Sequence, residues 1–588
     1  MSITDMAHCD TYLALSYVWG STRGLNLQKQ NLADLLMPRS LNHHWPQIPR
    51  TIRDAIILTA KLGFRYLWVD ALCIVQNDKE GKMRDIERMA AIYCKAQFTI
   101  VAAGGNNADH GLTGAGESPR SLCHQIILRF SPSAEFIIYP SQTLDESATK
   151  YFQRAWTFQE YRLPNRLLVF FNGTASWKCR RLECSEGLMG PRQMLHLPRN
   201  GLKSDSTWPN FTQYTDLVAA YNGRELSYEG DSLSAFSGVL EAIQHQFPSG
   251  FIQALPEFYF DLALLWQPRK PLRRRPSDLD FATPSWSWIG WSGSLDMRYC
   301  EHGFEHPILP LHSDYSTSWS AMCHPVTDWY KTTGPFDKRY PVNNGYIMYH
   351  KLRVGRVDNS PNQDELKETQ FVPSDITETG WHVSKHFEKW PKGRSEAQLY
   401  YRSPLISEAF SYPLPLGQGP KMVQSQKITY LHFSSHRAWF FVTESSVKAV
   451  SSRITCVTVS IADASGQLVG VMRLNSTDAP NFGEAPCELV AISRSTADLD
   501  LFHDRAPLEE ASDTAYLMQI ITFRGMRLPL GTTPDDYRAL QKIVGIYEYY
   551  NVLWIEWENG IAYRKALGRI CKEAWEAQDP EKIDVLLG

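Results

Sequence analysis

The sequence lacks the short motifs by which several common enzyme classes are recognised. Neither GxGxxG nor GxxxxGK[ST] occurs in its 588 residues, so the usual dinucleotide and P-loop fingerprints are missing. The zinc-protease motif HExxH and the hydrolase motif GxSxG are also absent. The 17 histidines show no paired spacing typical of metal ligands, and the pair His43–His44 is adjacent. Hydrolase and metalloenzyme functions of these familiar types therefore have no support, and we predict no metal site.

The net charge, the spacing of the cysteines and the apolar stretches also give no sign of a particular class of protein. The net charge of −3 gives no global field that would attract nucleic acid or an acidic membrane surface. The 11 cysteines are odd in number and have no disulfide framework, and the spacing of Cys179 and Cys184 is a weak zinc signal without a second pair. No signal peptide is visible, and acids and a proline interrupt the apolar stretch 250–266. We predict a soluble, cytoplasmic protein with reduced thiols and no membrane span.

The length of the chain and its content of aromatic residues are more informative. A chain of 588 residues exceeds what one core supports, so we expect two or more domains. Aromatic residues make up 12% of the chain and include 18 tryptophans, which indicates dense cores or aromatic-lined pockets. We divide the chain into a first domain at 1–190, a mainly helical middle region at 191–300 and a β-rich C-terminal region at 301–588.

The first third alternates between strand and helix patterns. This order predicts an α/β fold with a parallel sheet, right-handed crossovers and flanking helices. Thr51 is a candidate N-cap and Gly63 a candidate end for the first helix. The predicted strands are 12–18, 65–74, 98–105, 135–140 and 166–171, and the predicted helices are 51–63, 81–96 and about 151–162.

The remaining chain reads as a helical segment followed by β structure. A basic, proline-rich segment at 269–278 is interpreted as a solvated loop, with an acidic partner as the alternative. The further predictions are helices within 208–266, a strand at 283–293 that buries alternate tryptophans, a hairpin at 452–474 with its turn near 464–466, a strand at 487–495, and a strand pair followed by a helix at 550–576.

Open parallel sheets place ligands beyond the carboxyl ends of their strands. Asp70 is notable because it interrupts an apolar run, where a carboxylate needs hydrogen-bond donors or a pocket. It either caps the amides of the next loop or binds a ligand. The candidates at these strand ends are Ser16, Tyr17, Trp19 and Gly20 after the first strand, Asp70 at the second, and Gly104 and Gly105 after the third.

The segment RAWTFQE (154–160) ends in Glu160, at a position where a negative charge is unfavourable. Pro164 predicts that the helix stops near Leu163, so Glu160 lies at the negative end of the helix dipole. Two interpretations remain open. Glu160 is either an exposed acid paired with Arg154, Arg162 or Arg166, or a site residue that faces the strand ends. Trp156 is most simply a packing residue.

Three segments together resemble the fungal heterokaryon incompatibility (HET) domain. They are YLALSYVWG (12–20), RYLWVDALCIVQND (65–78) and RAWTFQE (154–160), in the order found in that family. Two departures are a first motif that begins almost at the N-terminus and a less acidic QNDKEGK after the second motif. The likeness continues over most of the chain, at 166–179, 219–239, 283–290, 487–495 and 550–570.

The resemblance implies a role in non-self recognition and programmed cell death. The HET domain is also distantly similar to Toll/interleukin-receptor (TIR) domains, which have a flavodoxin-like sheet. Some of these cleave NAD with a helix-borne glutamate, whose position corresponds to Glu160. Glu160 and Asp70 are then the candidate catalytic residues and NAD the candidate substrate. The candidate ligand-binding residues are Ser16, Tyr17, Trp19, Gly20, Gly104 and Gly105.

Two other functions remain open. The protein is alternatively a non-catalytic signalling module that self-associates or binds a protein partner. A third hypothesis is a tailoring enzyme or accessory protein of a fungal secondary-metabolite pathway, because an aromatic-rich second half can line an apolar pocket.

Overall fold

A computed structural model gives the fold of the chain. It describes residues 1–4, 11–120, 126–131, 134–138, 149–179, 181–186, 192–193, 210–247, 249–276, 283–297, 321–345, 382–389, 395–403, 406–410, 429–451, 454–476, 485–498 and 546–588. The chain forms two compact units: unit 1 comprises 1–204 and 224–243, and unit 2 comprises 205–223 and 244–588. The division predicted at residues 190 and 300 stays a prediction.

Unit 1 contains a mixed sheet with helices on both faces. Its strands are β1 (Leu13–Ser16), β2 (Leu67–Trp68), β3 (Thr99–Ala102), β4 (Ile126–Ser131), β5 (Ala134–Ile138), β6 (Arg166–Phe171), β7 (Thr174–Cys179), β8 (Leu182–Ser185) and β9 (Arg192–Gln193). Its helices are α1 (Leu32–Leu36), α2 (Ser40–His43), α3 (Arg50–Lys61), α4 (Asp70–Cys73), α5 (Lys79–Lys95), α6 (Lys150–Gln153), α7 (Trp156–Arg162) and α9 (Ser234–Ile243). Short 3-10 helices lie at Trp45–Gln47 and Glu229–Ser232.

The main sheet has the strand order β2-β1-β3-β6-β7-β8-β9. Its first four strands are parallel, and β7, β8 and β9 continue it in antiparallel pairs. This order makes β1 and β3 central: the connection after β1 leads to β2 on one side, and the chain after β3 continues to β6 on the other, as in flavodoxin-like sheets. The predicted α/β fold with a parallel N-terminal sheet is confirmed.

Side chains of the central strands alternate between two cores. Leu13, Leu15 and Ile100 pack into a cluster that also contains Ile52 of α3. Val101 faces the other side, in a cluster with residues of α6, α7 and β6. Strands covered on both faces are apolar throughout, which explains why β1 and β3 are buried at every position. By the same alternation Ser16 lies on the face that α6 and α7 cover.

Two of the predicted strands of the first third are wrong in extent or place. The strand predicted at 65–74 stops at Trp68, because Asp70 begins the one-turn helix α4, in which the Cys73 amide donates to the Val69 carbonyl oxygen. The segment predicted at 135–140 does not join the main sheet. Strand β5 pairs with β4 in a separate hairpin, and residues 139–140 lie outside the described residues.

Two helix predictions also need correction. Thr51 is not the N-cap of α3, since the helix already begins at Arg50 and the Thr51 hydroxyl oxygen accepts a hydrogen bond from the Gly111 amide. Gly63 does follow the helix end, with φ +80°. The helix predicted at 151–162 divides into α6 and α7, because Arg154 adopts an extended backbone between them.

Helix α9 lies far from α5 and α7 in sequence but packs against both within unit 1. Gly238 of α9 makes this close approach feasible. A Cβ at this position would lie 2.6 Å from Ala90 Cβ and 2.7 Å from Gln159 Oε1. Distances below 3.0 Å require a neighbour to move, and Ala90 is a short side chain on a helix.

We expect Gly238→Ala to destabilise unit 1 by about 1–3 kcal/mol, the usual cost of an overpacked contact. This loss would exceed the gain of up to about 1 kcal/mol that alanine brings to a helix. Chemical denaturation measures the change. Gly104→Ala is the matched control in unit 1, because the nearest atom to a Cβ there lies at 3.5 Å, an ordinary contact distance. Equal effects of the two substitutions would contradict the close packing.

Unit 2 is rich in β structure. Its helices are α8 (Phe211–Tyr221), α10 (Phe260–Ala263) and α11 (Lys572–Glu576), with 3-10 helices at Gln244–Gln246, Glu257–Tyr259 and Trp288–Gly290. Its strands are β10 (Phe251–Ile252), β11 (Leu255–Pro256), β12 (Gln267–Pro268), β13 (Arg273–Arg274), β14 (Trp291–Ser292), β15 (Leu295–Asp296), β16 (Ala321–Pro325), β17 (Tyr330–Thr332), β18 (Tyr340–Pro341), β19 (His382–Lys389), β20 (Ser395–Ser403), β21 (Ile406–Phe410), β22 (Tyr430–Ser451), β23 (Ile454–Ala462), β24 (Leu468–Leu474), β25 (Cys487–Asp498), β26 (Ile546–Glu558), β27 (Ile561–Cys571) and β28 (Glu581–Leu587).

The largest sheet of unit 2 has the order β16-β25-β26-β27-β24-β23-β22-β17-β18. Strand β22 also pairs with β25 and β28, so the sheet closes on itself around an apolar core that includes Phe440, Ile461 and Trp575. The predicted β-rich region is confirmed. The predicted hairpin is present as β23 and β24, with Gly466 in its turn at φ +81°.

Two predictions in the middle of the chain are wrong. The segment predicted as a strand at 283–293 forms a 3-10 turn and only the two-residue strand β14, although its tryptophans are buried as expected. The basic segment is not a solvated loop throughout. Arg275 is buried, and the Arg274 guanidinium donates to the carbonyl oxygens of Thr283 and Gly290.

Candidate functional site

The candidate site lies at the carboxyl end of β1, beside the point where the connections that follow β1 and β3 diverge. The Ser16 hydroxyl is fully buried and donates a hydrogen bond of 2.5 Å to Glu160 Oε2. The Tyr151 hydroxyl lies 2.6 Å from the same Ser16 oxygen. A strand, the helix α6 and the helix α7 thus meet in one hydrogen-bonded group.

Asp70 lies at the next strand end, immediately after β2. Its Oδ2 accepts a hydrogen bond of 2.7 Å from the Trp19 indole N–H, and its Oδ1 accepts one of 2.7 Å from the Ala71 amide. Tyr17 is a neighbour of this carboxyl group and lowers its pKa. Asp70 therefore accepts a hydrogen bond from one amide of α4, in agreement with the capping interpretation, and its role in ligand binding stays a prediction.

The acid that ends RAWTFQE is not on the surface. Glu160 lies in the last turn of α7, as predicted, but only 6% of the residue is exposed. The interpretation as an exposed acid in a surface ion pair is therefore wrong. Helix α7 packs its buried side chains on the sheet, and this orientation aims the carboxylate at Ser16. Trp156 is half-buried and donates to Asp231 at 3.3 Å.

Burial dominates the electrostatics of the site. It raises the pKa of Glu160 to about 7, with a further upward contribution from Asp70, against the hydrogen bond from Ser16 and the positive charge of Arg154. Burial also raises the pKa of Asp70, opposed by its hydrogen bonds from Trp19 and Ala71 and by its neighbour Tyr17. A carboxyl group that titrates near neutrality beside a second carboxyl group is typical of functional sites.

Stability should reveal this pKa shift. Because the folded pKa of Glu160 exceeds the unfolded value of 4.5, the folded state binds more protons and stability falls as pH rises from 4.5 to 7. We expect Glu160→Gln to be more stable than the wild type at pH 8, by up to about 3 kcal/mol at 1.36 kcal/mol per pKa unit. The difference should shrink towards pH 4. Denaturation at both pH values measures it, and a pH-independent difference would contradict the burial of the ionised form.

Three residues of this site are not among the candidates that the sequence indicates. Tyr151 and Tyr93 are buried, and burial raises the pKa of both hydroxyls well above 10, so they stay neutral hydrogen-bonding groups. The Tyr93 hydroxyl donates to the Leu15 carbonyl oxygen at 3.2 Å, and Tyr93 is among the neighbours that lower the pKa of Glu160. The sequence indicates Arg154 only as a possible surface ion-pair partner of Glu160. Its place as the first residue of the RAWTFQE motif is the one feature of the sequence that links it to the site.

The three candidate glycines lie next to residues outside the hydrogen-bonded group just described. Gly20 is exposed at φ +64°, and a Cβ there would lie 2.5 Å from Asn107 Cβ. A Cβ on Gly105 would meet His110 Cβ at 2.7 Å, and one on Gly104 would lie 3.7 Å from His110 Nε2. Gly20 and Gly105 thus allow close packing with the loop after β3, whereas the contacts of Gly104 are of ordinary length. The structure brings together Ser16, Tyr17, Trp19, Asp70 and Glu160. Ligand binding by any of the candidate residues stays a prediction.

Among the residues that the structure describes, no group of three or more histidine, cysteine or acidic side chains could hold a metal ion. No helix in this described part of the chain is long and apolar enough to cross a membrane.

Comparison with known proteins bears on this same part of the chain. Residues 12–160 match the family model described as heterokaryon incompatibility protein (HET). The match begins at β1 and ends at Glu160, so it spans all the residues gathered at the site. No curated protein and no solved structure matched the chain. The chain therefore carries a HET domain in its N-terminal unit, which connects it in general terms with heterokaryon incompatibility.

Proposed function

We propose that the HET domain binds NAD and cleaves its nicotinamide–ribose bond. The observation that supports this proposal is the buried Glu160 carboxylate, which Ser16 holds at 2.5 Å beside Asp70 at the carboxyl end of the parallel sheet. Sheets of this type bind nucleotides at such an end. A fixed carboxylate in a dry environment is suited to a reaction that develops positive charge.

The reaction needs a group that stabilises a cation on the sugar. When the bond between ribose C1′ and the nicotinamide nitrogen breaks, both electrons leave with nicotinamide and the ribose becomes oxocarbenium-like. Water then adds to C1′ and releases a proton, giving ADP-ribose. Carboxylates perform this stabilisation at other glycosidic centres. Ionised Glu160 would supply the negative charge, and Ser16 would hold it in position.

The other residues complete the proposed pocket. Trp19 is half-buried, and its hydrogen bond to Asp70 fixes the plane of the indole, which would offer a stacking surface to a base or to the nicotinamide ring. Asp70 would accept hydrogen bonds from ribose hydroxyls. Tyr17 is buried next to Asp70 and would limit the depth of the pocket.

The direct experiment is to incubate the purified full chain with NAD and follow nicotinamide release. Release at a rate above that of buffer supports the proposal. No release at any pH between 5 and 9, with the protein shown to be folded, would refute the catalytic function. A HET domain that kills incompatible cells without releasing nicotinamide would then act as a non-catalytic signalling module.

The pH dependence of this activity follows from Glu160. With a pKa of about 7, the carboxyl group is about 1% ionised at pH 5 and about 90% ionised at pH 8. Since the ionised form stabilises the cation, we expect kcat/KM to rise about tenfold per pH unit below 7 and to level off above it. Initial rates across pH 5–9 measure the profile. A rate that falls between pH 5 and 8 would show that Glu160 acts in its protonated form.

The cellular consequence we propose is programmed cell death through loss of NAD after fusion of incompatible cells. Expression of the wild type should lower cellular NAD before viability falls. Unchanged NAD in dying cells would argue against this route. A metabolite profile altered by deletion of the gene, with normal incompatibility, would instead support a role in secondary metabolism.

A further inference from the structure

We propose that Tyr151 is a positioning residue for Glu160: its hydroxyl donates to Ser16 and thereby commits the single Ser16 hydroxyl proton to the Glu160 carboxylate. Tyr151 would act through Ser16, without touching a substrate. The catalytic consequence rests on the proposed function, whereas the coupling between the three side chains does not. We call Tyr151, Ser16 and Glu160 the relay.

The direction of the two hydrogen bonds follows from counting protons. The Ser16 hydroxyl has one proton, and an ionised carboxylate can only accept, so that proton lies in the 2.5 Å bond to Glu160 Oε2. The Tyr151 hydroxyl lies 2.6 Å from the same Ser16 oxygen, which has no second proton to offer. Tyr151 is therefore the donor to Ser16. Hydrogen bonds in such a chain strengthen one another because each polarises the next.

Packing holds the upstream end of the relay in place. The Tyr151 ring is fully buried and lies edge-on to Phe152 and Tyr161, with ring centroids 5.1 and 6.4 Å apart. The Tyr151 carbonyl oxygen accepts a hydrogen bond from the Thr157 hydroxyl, which ties α6 to α7. Ser16 is fully buried as well. A side chain held in this way can orient its neighbour without a large entropic cost.

The helix that carries Tyr151 is anchored by a residue outside the family match. The Glu225 amide donates to the Gln153 carbonyl oxygen at 2.6 Å, and the Glu225 carbonyl oxygen accepts from the Ala155 amide at 2.9 Å. The family match ends at Glu160, so it does not include this anchor. The relay thus connects the end of the matched segment with a later part of unit 1.

Loss of the Tyr151 hydroxyl should be felt at the Glu160 carboxyl group. Without a donor on its far side, Ser16 donates less strongly, so the ionised form of Glu160 loses stabilisation and its pKa rises. The substitution Tyr151→Phe keeps the ring and therefore the packing of α6. It also retains the other titratable groups that interact electrostatically with Tyr151 or Glu160, which are Asp70, Tyr17, Tyr93, Arg154, Tyr161 and Arg224.

Hydrogen exchange of the β3 amides tests the relay in the full chain without requiring catalysis. We expect Tyr151→Phe to raise the pKa of Glu160 by about one unit, a tenfold weaker hold on the ionised form. Because a folded pKa above the unfolded value lowers stability as pH rises, protection of the Ile100 amide should fall about fivefold more at pH 8 than at pH 5. In a Glu160→Gln background this dependence on pH should vanish.

The rate of nicotinamide release gives a second readout if NAD is cleaved. The midpoint of the kcat/KM profile should rise from about 7 to about 8 in Tyr151→Phe. In a Ser16→Ala background Tyr151→Phe should move the midpoint no further, because its effect passes through Ser16. Tyr161→Phe is the matched control. It removes a hydroxyl from a neighbouring buried ring of the same cluster and should leave the midpoint unchanged.

Two results would overturn the assignment. One is a loss of protection in Tyr151→Phe that is equal at both pH values and equal with Glu160 and with Glu160→Gln, since Tyr151 would then contribute packing alone. The other is a midpoint shift that persists in full when Ser16 is already alanine. The outcome is separable from that of the proposed function: a Glu160-dependent loss at pH 8 without nicotinamide release by the wild type would support the relay and refute NAD cleavage.

Discussion

Glu160→Gln should lower the rate of nicotinamide release from NAD about 1,000-fold. The amide has nearly the shape of the carboxylate, and its oxygen can still accept the hydrogen bond from Ser16. It carries no negative charge, however, so it cannot stabilise the developing cation. Removing one electrostatic group from a preorganised site costs roughly 100- to 1,000-fold in rate, and we place the effect at the upper end because Glu160 is buried.

The control for this variant is Glu87→Gln, the same substitution at an exposed position of α5. It should leave the rate within a factor of two. The stability of Glu160→Gln at pH 8 separates loss of chemistry from loss of fold, since removal of a buried carboxylate should stabilise the domain there. A Glu160→Gln variant with full activity would exclude Glu160 from catalysis, even if NAD is cleaved.

The fold of unit 1 could be predicted from local sequence patterns because its central strands are covered on both faces. Continuous apolar runs at β1, β3 and β6 are visible in the sequence, and the helices α3 and α5 have clear apolar periodicity. The end of β2 could not be predicted from the sequence. Apolar residues continue after Asp70, and only the hydrogen bond from the Ala71 amide to that aspartate shows why a helix begins there.

The site was predicted from residues that interrupt apolar patterns, and this signal has a limit. Asp70 and Glu160 were noticeable because acids are costly there. Tyr93 and Tyr151 resemble ordinary core residues in sequence, and only long-range contacts give them a place at the site; the Ser16–Tyr151 hydrogen bond spans 135 residues. The packing of α9 in unit 1 was hidden for the same reason, since it depends on contacts between residues far apart in the sequence, such as the stacking of Phe158 on Phe236.

Phe236→Ala should destabilise unit 1 by about 3–5 kcal/mol, the usual cost of removing a buried phenylalanine ring. Phe236 lies on α9, is fully buried and stacks on Phe158 of α7 with ring centroids 6.0 Å apart. The family match ends at residue 160, but the helix that carries Glu160 is covered by residues 224–243. Those residues are therefore needed to hold α7, and with it Glu160, on the sheet.

Hydrogen exchange of the β3 amides is the appropriate measurement, because a chain with two units need not unfold in one transition. The free energy of exchange at Ile100 and Val101 should fall with Phe236→Ala, and nicotinamide release should fall as α7 loosens. Tyr228→Ala is the matched control. It removes an aromatic ring from the same segment, but the ring is 73% exposed, so exchange should change by less than about 0.5 kcal/mol. Unchanged β3 protection in Phe236→Ala would show that the packing of Phe236 on α7 does not stabilise the sheet of unit 1.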